Sequence, residues 1–184
     1  NRRQLAWVTI LKLSVEETLG NLQHLADRYG FDSPARWVHP MDPYYPKWVQ
    51  HTLGAMLDAP AGERPDGLVI MDDHLVEPVE RALLELGVDL SRELKVVGYW
   101  NFPLPYTEHA PIQRMGADLV EFLHTALQCL SQASGGGKER GVRQLAPIDA
   151  ADFEKRCAGG YTAHGFAQPV PGSPPQKAEH AVDD

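Results

Sequence analysis

A strand–helix–strand pattern over residues 65–101 constrains this chain more than any other feature. A short apolar run at residues 67–71 ends in two aspartates, and a second apolar run follows at residues 95–99. Between the two runs, apolar residues recur at helical spacing until Gly87. A crossover of only about thirty residues makes the two strands parallel neighbours. The pattern therefore predicts a βαβ unit in a sheet that helices cover on both faces.

The preceding residues continue this alternation towards the amino terminus. Residues 5–11 predict a buried strand. Ser14 and Glu17 form a capping box, in which the serine hydroxyl accepts from a free N–H and the glutamate reaches back. The helix that they open is predicted to end at Gly30.

The middle of the chain supplies one more strand and one more helix. Residues 35–39 predict a second, shorter strand, and three prolines make residues 40–46 a loop. A helix over residues 46–57 begins with proline, at a position where no backbone N–H is missed. The order β-α-β-α-β-α-β predicts the α/β class: a doubly wound parallel sheet with helices on both faces.

The chain after the βαβ unit is less regular. Residues 102–111 predict an irregular segment over the carboxyl edge of the sheet, and residues 112–130 predict one strong helix. Three glycines at residues 135–137 indicate a flexible break, and residues 142–145 predict a last short strand. Glycine, alanine and proline dominate residues 159–184, a composition that predicts a disordered tail.

Bulk composition excludes several classes of protein. The chain has 184 residues and a formal net charge of −8, whereas a nucleic-acid-binding surface needs a basic face. Its two cysteines provide no disulfide framework. No apolar run approaches the roughly 18 residues of a membrane span. A protein without membrane contact in a reducing compartment is therefore expected.

Polar residues follow both strands of the βαβ unit at the edge where ligands bind in such sheets. Asp72 and Asp73 end the first strand, and Trp100 and Asn101 end the second. Carboxylates accept hydrogen bonds from ligand hydroxyls, the indole offers an apolar face on which a ligand can stack, and the amide both donates and accepts. Structural roles are the alternative. Asp73 is favoured as the cap of the next helix. For Asp72, a helix cap and a ligand contact are equally favoured. For Trp100, an aromatic side chain at the edge of the core and a ligand contact are equally favoured.

Three further residues are candidate ligand contacts at the same edge. Glu17 opens the first helix, where membership of the capping box explains it more simply. Tyr44 and Tyr45 lie on the proline-rich loop after the second strand, where they line a pocket or pack on the surface.

The residues indicate neither a metal site nor a catalytic centre. Asp72, Asp73 and His74 are adjacent, but successive residues are expected to point in different directions, and no second His or Cys lies at ligand spacing. No G-x-S-x-G motif occurs, and neither Cys129 nor Cys157 has a convincing histidine partner. The glycine triplet lacks the Ser or Thr after lysine that a phosphate loop requires. We therefore expect no enzymatic activity, no metal and no cofactor.

Three segments carry a family resemblance: PDGLVIMDD at residues 65–73, ALLELGV at 82–88 and LKVVGY at 94–99. The first segment resembles the motif P-D-A followed by an apolar run and N-D. The second resembles a helix that ends in A-L-x-x-x-G, and the third resembles (I/V)-x-V-V-G-(F/Y)-D-D. That wording is typical of the effector-binding domain of lac-repressor/galactose-repressor type transcriptional regulators. RMGAD at residues 114–118 is similar to a late helix of that family containing an L-G pair. The resemblance covers roughly residues 3–130.

The resemblance implies two lobes joined by three crossings, with a sugar or similar effector between them. The chain looks like the carboxyl lobe alone, without the other lobe and the helix-turn-helix headpiece. The expected parts are the lobe at residues 1–111, a helix at 112–130 that packs in the missing lobe, a linker with a short strand at 131–158, and the tail at 159–184. The implied partners are a small-molecule effector, a second copy in a full-length homodimer, and DNA through the missing headpiece, all in the cytoplasm.

The chain differs from the family's motifs at several positions, so the resemblance does not identify the effector. Glu17 stands where the family commonly has a sugar-gripping arginine, Asp72 and Asp73 replace N-D, and Trp100 and Asn101 replace D-D. The favoured function is the ligand-sensing domain of a bacterial DNA-binding transcriptional regulator. The alternative is the solute-binding protein of a sugar uptake system, and an α/β enzyme is a more distant third.

Overall fold

Six strands form one sheet in the computed structural model, which describes residues 4–10, 15–107, 109–134 and 144–158, without the side chains of residues 15–18 and 132–134. The strands are β1 (Leu5–Ile10), β2 (Val38–Met41), β3 (Gly67–Ile70), β4 (Lys95–Phe102), β5 (Gln113–Asp118) and β6 (Ile148–Asp149). The helices are α1 (Val15–Arg28), α2 (Pro46–Leu57), α3 (Asp73–Glu85), α4 (Leu119–Ser134) and α5 (Ala150–Ala158).

The strand order is β2-β1-β3-β4-β5-β6, and the first five strands are parallel. Only β6 runs antiparallel, beside β5. Crossovers between parallel strands are right-handed. The chain moves in one direction along the sheet from β1 to β2, through α1, and in the opposite direction from β2 to β3, through α2. The two helices therefore lie on opposite faces of the sheet. Helices α2 and α3 pack against each other. The predicted α/β class and doubly wound parallel sheet are confirmed.

The core lies between the sheet and the α2–α3 layer. Alternate residues of β4 are buried, and Gly98 among them faces Val76 of α3: a Cβ at Gly98 would lie 3.0 Å from a Val76 methyl carbon. On the same face of the sheet, β1 and β3 also carry fully buried side chains. Helices α2 and α3 contribute the buried side chains that pack against this face. The largest of these side chains include Leu53, Met56, Leu68, Ile70, Leu75 and Leu83.

Helix ends follow the glycine and proline signals in the sequence. Gly30 and Gly87 have φ angles of 77° and 72°, in the left-handed region that favours glycine after a helix. Helix α2 begins at Pro46, as predicted, and ends at Leu57. Ser14 of the predicted capping box lies outside the described residues, as does the side chain of Glu17.

The second strand begins later than predicted and runs into the proline-rich segment. Residues Ala35–Trp37 form a 3-10 turn, and β2 covers Val38–Met41, so Pro40 pairs with Thr9 of β1. A proline within a strand is tolerated here because β2 is the edge of the sheet, where its missing N–H faces no neighbouring strand. The prediction that the loop begins at Pro40 was therefore wrong.

The predicted helix over residues 112–130 was wrong in its first third. Residues Gln113–Asp118 form β5, which pairs in parallel with β4, and the helix begins only at Leu119. Gly116 explains this pairing, because a Cβ at that position would collide with the carbonyl oxygen of Trp100. Close approach of the two backbones selects glycine and excludes any larger residue.

The remaining segments are short or fall outside the description. Residues 142 and 143 of the predicted last strand and the predicted tail at 159–184 lie outside the described residues, and residues 144–147 are irregular. The chain divides into two compact units, residues 1–150 and 151–184. Within the second unit the described residues continue α5, which carries an ion pair of 2.9 Å between Lys155 and Asp152. None of the helices in the described ranges is long and apolar enough to cross a membrane.

Candidate functional site

Asp72 caps the helix that follows β3. Its backbone is extended, with φ −144° and ψ 135°, and its Oδ1 accepts a hydrogen bond of 3.0 Å from the backbone N–H of His74. This geometry satisfies one of the free N–H groups in the first turn of α3. Asp73 is the first residue of the helix rather than its cap, so the assignment of the cap to Asp73 was wrong.

Asp73 is held by a residue from the neighbouring strand. Ile70 pairs with Gly98, so Asp73 and Asn101, each three residues further along, arrive at the same place. Asn101 donates from Nδ2 to Asp73 Oδ2 at 2.7 Å, and Tyr99 donates from its hydroxyl to Asn101 Oδ1 at 3.0 Å. The side chain of Asp73 is only 11% exposed, so this chain of hydrogen bonds fixes one carboxylate in position.

His74 lies against both carboxylates. Its Nδ1 is 3.0 Å from Asp72 Oδ1 and 2.8 Å from Asp73 Oδ1, although its side chain is 68% exposed. The hydrogen bond to Asp72, followed by the charge of Asp73, raises the pKa of His74 above its ordinary value of 6.5. The two carboxylates therefore favour the protonated form of His74 at this position.

Metal-binding atoms also converge at this point. One ligand atom from each of Asp72, Asp73 and His74 lies within 4.8 Å of the others. The expectation that successive residues would point apart was wrong, because the first turn of a helix lets the side chains of neighbouring residues fold back onto the cap. Two carboxylate oxygens and one imidazole nitrogen form a donor set that a divalent transition metal accepts.

Tyr99 reports a negative potential at the same edge. Partial burial raises the pKa of its hydroxyl, and the charges of Asp73 and then Asp72 raise it further. A third negative charge is therefore disfavoured beside the two carboxylates. Tyr99 and His74 were not among the residues predicted for the site, although the D-D-H run and the two-residue spacing from Tyr99 to Asn101 were visible signals.

Trp100 points to the other face of the sheet. It is 5% exposed, donates from Nε1 to the carbonyl oxygen of Leu104 at 3.1 Å, and meets the Tyr106 ring edge-on at a centroid distance of 5.0 Å. The guanidinium of Arg114 lies 4.3 Å from the centroid of Tyr106. Trp100 therefore anchors the segment after β4 to the core, and the structure does not bring it together with Asp72 and Asn101.

Glu80 holds the far end of the same segment. It is 1% exposed, and its Oε1 accepts from the backbone N–H groups of His109 at 2.9 Å and Ala110 at 2.7 Å. A buried carboxylate needs such partners because an unpaired charge in the interior is costly. The connection from β4 to β5 is thus fixed by side chains at both ends.

Comparison with known proteins places this sheet in a familiar architecture. No protein-family model and no curated protein matches the sequence. A LacI-family regulatory protein from Chloroflexus aggregans superposes with a TM-score of 0.65 at 14% identity, covering 80% of this chain and 53% of that one. A LacI-family transcriptional regulator from Bifidobacterium animalis subsp. lactis gives 0.64 at 15%, covering 81% and 54%. The fold is that of LacI-family transcriptional regulators.

A third LacI-family neighbour is a regulator from Lactobacillus casei whose structure contains bound glucose. It superposes with a TM-score of 0.59 at 18% identity, and the match covers 80% of this chain and 54% of the neighbour. The chain thus spans about half the length of these LacI-family structures. The predicted resemblance is confirmed at the level of the fold.

In this LacI-type sheet, four side chains form one cluster at the carboxyl edge: Asp72, Asp73, Tyr99 and Asn101, with His74 over the two acids. We refer to these five residues as the acidic rim. It contains three of the predicted contacts and leaves out Trp100.

Tyr44 and Tyr45 follow β2 at the same edge of the LacI-type sheet, with β1 between them and β3. Their side chains are 83% and 63% exposed and, with Pro46, Lys47 and Trp48, line a shallow depression of about 690 Å³. They contact neither Asp72 nor Asn101 through any hydrogen bond among the described residues. Glu17, whose side chain lies outside the description, stays a prediction.

Proposed function

We propose that this chain is the ligand-sensing part of a bacterial DNA-binding transcriptional regulator and that its effector is a carbohydrate bound at the acidic rim. The observation that carries the proposal is the joining of Asp72, Asp73 and Asn101 at the carboxyl ends of parallel strands. This is the edge at which open α/β sheets bind ligands.

The chemistry of the acidic rim suits hydroxyl-rich ligands. Each carboxylate offers two acceptor oxygens, and Asp72 keeps 31% of its side chain exposed to receive donors. The hydroxyl of Tyr99 and the amide of Asn101 provide both donors and acceptors. Hydrogen bonds to charged acceptors are stronger than neutral ones, so carboxylates are favourable acceptors for sugar hydroxyls. Tyr44 and Tyr45 offer aromatic faces along the same edge.

The proposed signalling mechanism is the closure of two lobes around an effector. An effector held between this lobe and a second lobe would favour the closed arrangement, in proportion to its differential affinity for closed and open forms. Coupling that equilibrium to a homodimer changes how its DNA-binding headpieces are presented, and binding of DNA and effector then affect each other reciprocally. A cytoplasmic regulator without enzymatic activity fits this role.

A sugar titration tests the carbohydrate site. Amide NMR spectra of the 184-residue chain would be followed while glucose, galactose, mannose or ribose is added. We expect weak binding, in the roughly millimolar range, because the acidic rim encloses only one side of a ligand. Shifts should concentrate at residues 71–74 and 99–101.

Two matched variants locate the binding. Asp73→Asn should abolish the sugar-dependent shifts, whereas Asp58→Asn, which changes an exposed acid at the end of α2, should retain them. Sugar binding that both variants retain, or shifts confined to other surfaces, would contradict the proposal. The regulatory role is tested separately by the coding sequence that precedes Asn1: a helix-turn-helix is expected, and a signal peptide would instead favour the transport protein.

A further inference from the structure

Three exposed aromatic side chains lie on the turn that leads into α2. Tyr44, Tyr45 and Trp48 are 83%, 63% and 44% exposed and surround the depression of about 690 Å³. Hydrogen bonds fix the backbone beneath them. Asp42 accepts from the N–H of Tyr44 through Oδ1 at 2.9 Å and from the N–H of Tyr45 through its carbonyl oxygen at 3.1 Å. The carbonyl oxygen of Tyr45 accepts from the N–H of Trp48 at 2.9 Å. We refer to the three side chains as the aromatic platform.

The chemistry of the aromatic platform suits a ligand that has both an apolar face and hydroxyl groups. Tyrosine and tryptophan combine an apolar ring with a polar tip. Among the described residues, neither tyrosine hydroxyl of the platform nor Nε1 of Trp48 forms a hydrogen bond, so these polar atoms are available to a ligand. The exposed side chains Phe122, Leu123 and Leu127 of α4 carry no polar atom and lack this property. A sugar ring, with C–H groups on its face and hydroxyls at its edge, matches the platform.

The aromatic platform and the acidic rim are separated by the width of one strand. The platform follows β2 and the rim follows β3, and these two strands flank β1 in a parallel arrangement. Their carboxyl ends are therefore two strand spacings apart, roughly 10 Å. A sugar ring is only about one strand spacing wide, so a single ring contacts one of the two sites. Two linked rings reach both.

A continuous surface also connects the two sites on the helical side. Pro46 and Lys47 line both the depression at the aromatic platform and a groove of about 370 Å³ between α2 and α3. On α3 this groove includes Glu77, which follows Asp73 of the acidic rim by one turn, or about 6 Å along the helix. Gln50 of α2 adds an amide to the lining, so the groove provides donors and acceptors for ligand hydroxyls.

We propose that the aromatic platform is a second sugar subsite and that the effector is an oligosaccharide of at least two units. One unit lies at the acidic rim, and the next stacks on Tyr44, Tyr45 and Trp48. This inference rests on the proposed function in one respect, the placement of the first unit at the rim. Once that unit is bound, the second is held at high effective concentration beside the platform, so each contact adds to the affinity.

A series of matched sugars tests the inference on the full 184-residue chain. Maltose, cellobiose and lactose would be compared with glucose and galactose, while the backbone amide signals and the indole N–H signal of Trp48 are followed by NMR. At least one disaccharide should bind roughly two- to tenfold more tightly than its component monosaccharides, the range of one aromatic contact. That disaccharide should shift both the Trp48 indole signal and the amides of residues 71–74.

Variants of the aromatic platform locate the second unit. Trp48→Ala should reduce the affinity for the disaccharide roughly two- to tenfold and leave monosaccharide binding at the rim unchanged, whereas Trp48→Phe keeps a ring and should retain most of the gain. Tyr44→Ala is a second loss variant with the same expected direction. Tyr29→Ala is the matched control, because Tyr29 is 70% exposed at the opposite edge of the sheet, near Asp32, which bridges to the residue before β1.

The outcomes separate the inference from the proposed function. Disaccharides that shift the acidic rim but bind no more tightly than their monosaccharides would overturn the inference and leave the carbohydrate site standing. Shifts at Trp48 with none at the rim, or no response at either place, would overturn both. Self-association that Trp48→Ala removes, without any sugar response of the indole signal, would also overturn the inference and assign the aromatic platform to contact between copies.

Discussion

At the scale of single residues, two histidines respond to pH in opposite directions. The carboxylates of Asp72 and Asp73 raise the pKa of His74 above 6.5, whereas burial lowers the pKa of His39 below it. Protonated His74 therefore stabilises the folded chain below pH 6.5, and this contribution is lost as the pH rises through the folded pKa. Neutral His39 stabilises it above pH 6.5, and that contribution is lost as the pH falls through its own folded pKa.

We expect His74→Ala to lower the urea midpoint of unfolding below pH 6.5 and to lose most of its effect at higher pH. His51→Ala serves as the matched control for the loss of an exposed histidine, because His51 is exposed on α2. A difference between wild type and His74→Ala that stays constant across the pH series would show that the imidazolium makes no net contribution.

At the scale of elements, the sequence predicts structure well where the signals are local. The βαβ unit, the start of α2 at Pro46 and the glycine ends of two helices depend on neighbouring residues, and all were predicted. Strand β5 was missed because apolar residues around Met115 also fit a helical period. What makes it a strand is distant pairing with β4, which periodicity does not record.

Gly116 offers a direct test of that pairing. Gly116→Ala should destabilise the chain by about 1–3 kcal/mol, because the new methyl group meets the backbone of Trp100, which cannot move aside as a side chain would. Gly20→Ala is the matched control: it lies within α1, and a Cβ at this position would meet no atom within 4 Å, so the change should stabilise by roughly 0.5–1 kcal/mol. Urea midpoints that move in the same direction for both variants would contradict the close approach.

At the scale of the whole molecule, fold and site were predictable to different degrees. Topology brings the carboxyl ends of β3 and β4 together, so Asp73 and Asn101 meet as expected. The prediction that Trp100 lies at the site was wrong because β4 runs to Phe102 instead of ending at Tyr99. Side chains alternate between the two faces of a strand, so the Trp100 ring points into the core. Tyr99 was missed for the same reason. The D-D-H run places His74 next to the two acids in sequence, but it does not specify the side-chain rotation that brings Nδ1 onto both carboxylates.

Helix α4 exposes a stripe of large apolar side chains. The exposed fractions are 53% for Phe122, 46% for Leu123 and 59% for Leu127. Neighbouring apolar side chains of this size form a patch that favours association between copies. Because these side chains are exposed on one helix, we expect copies of the chain to associate through them.

Sedimentation velocity over a concentration series should therefore show reversible self-association of the 184-residue chain. The double change Leu123→Gln and Leu127→Gln should weaken it by roughly an order of magnitude or more, because each buried leucine side chain contributes about 1.5–3 kcal/mol when it leaves water. Leu84→Gln is the control, since Leu84 is 45% exposed on α3, away from the stripe. A chain that stays monomeric at every concentration, or a control as disruptive as the double variant, would remove α4 as the contact surface.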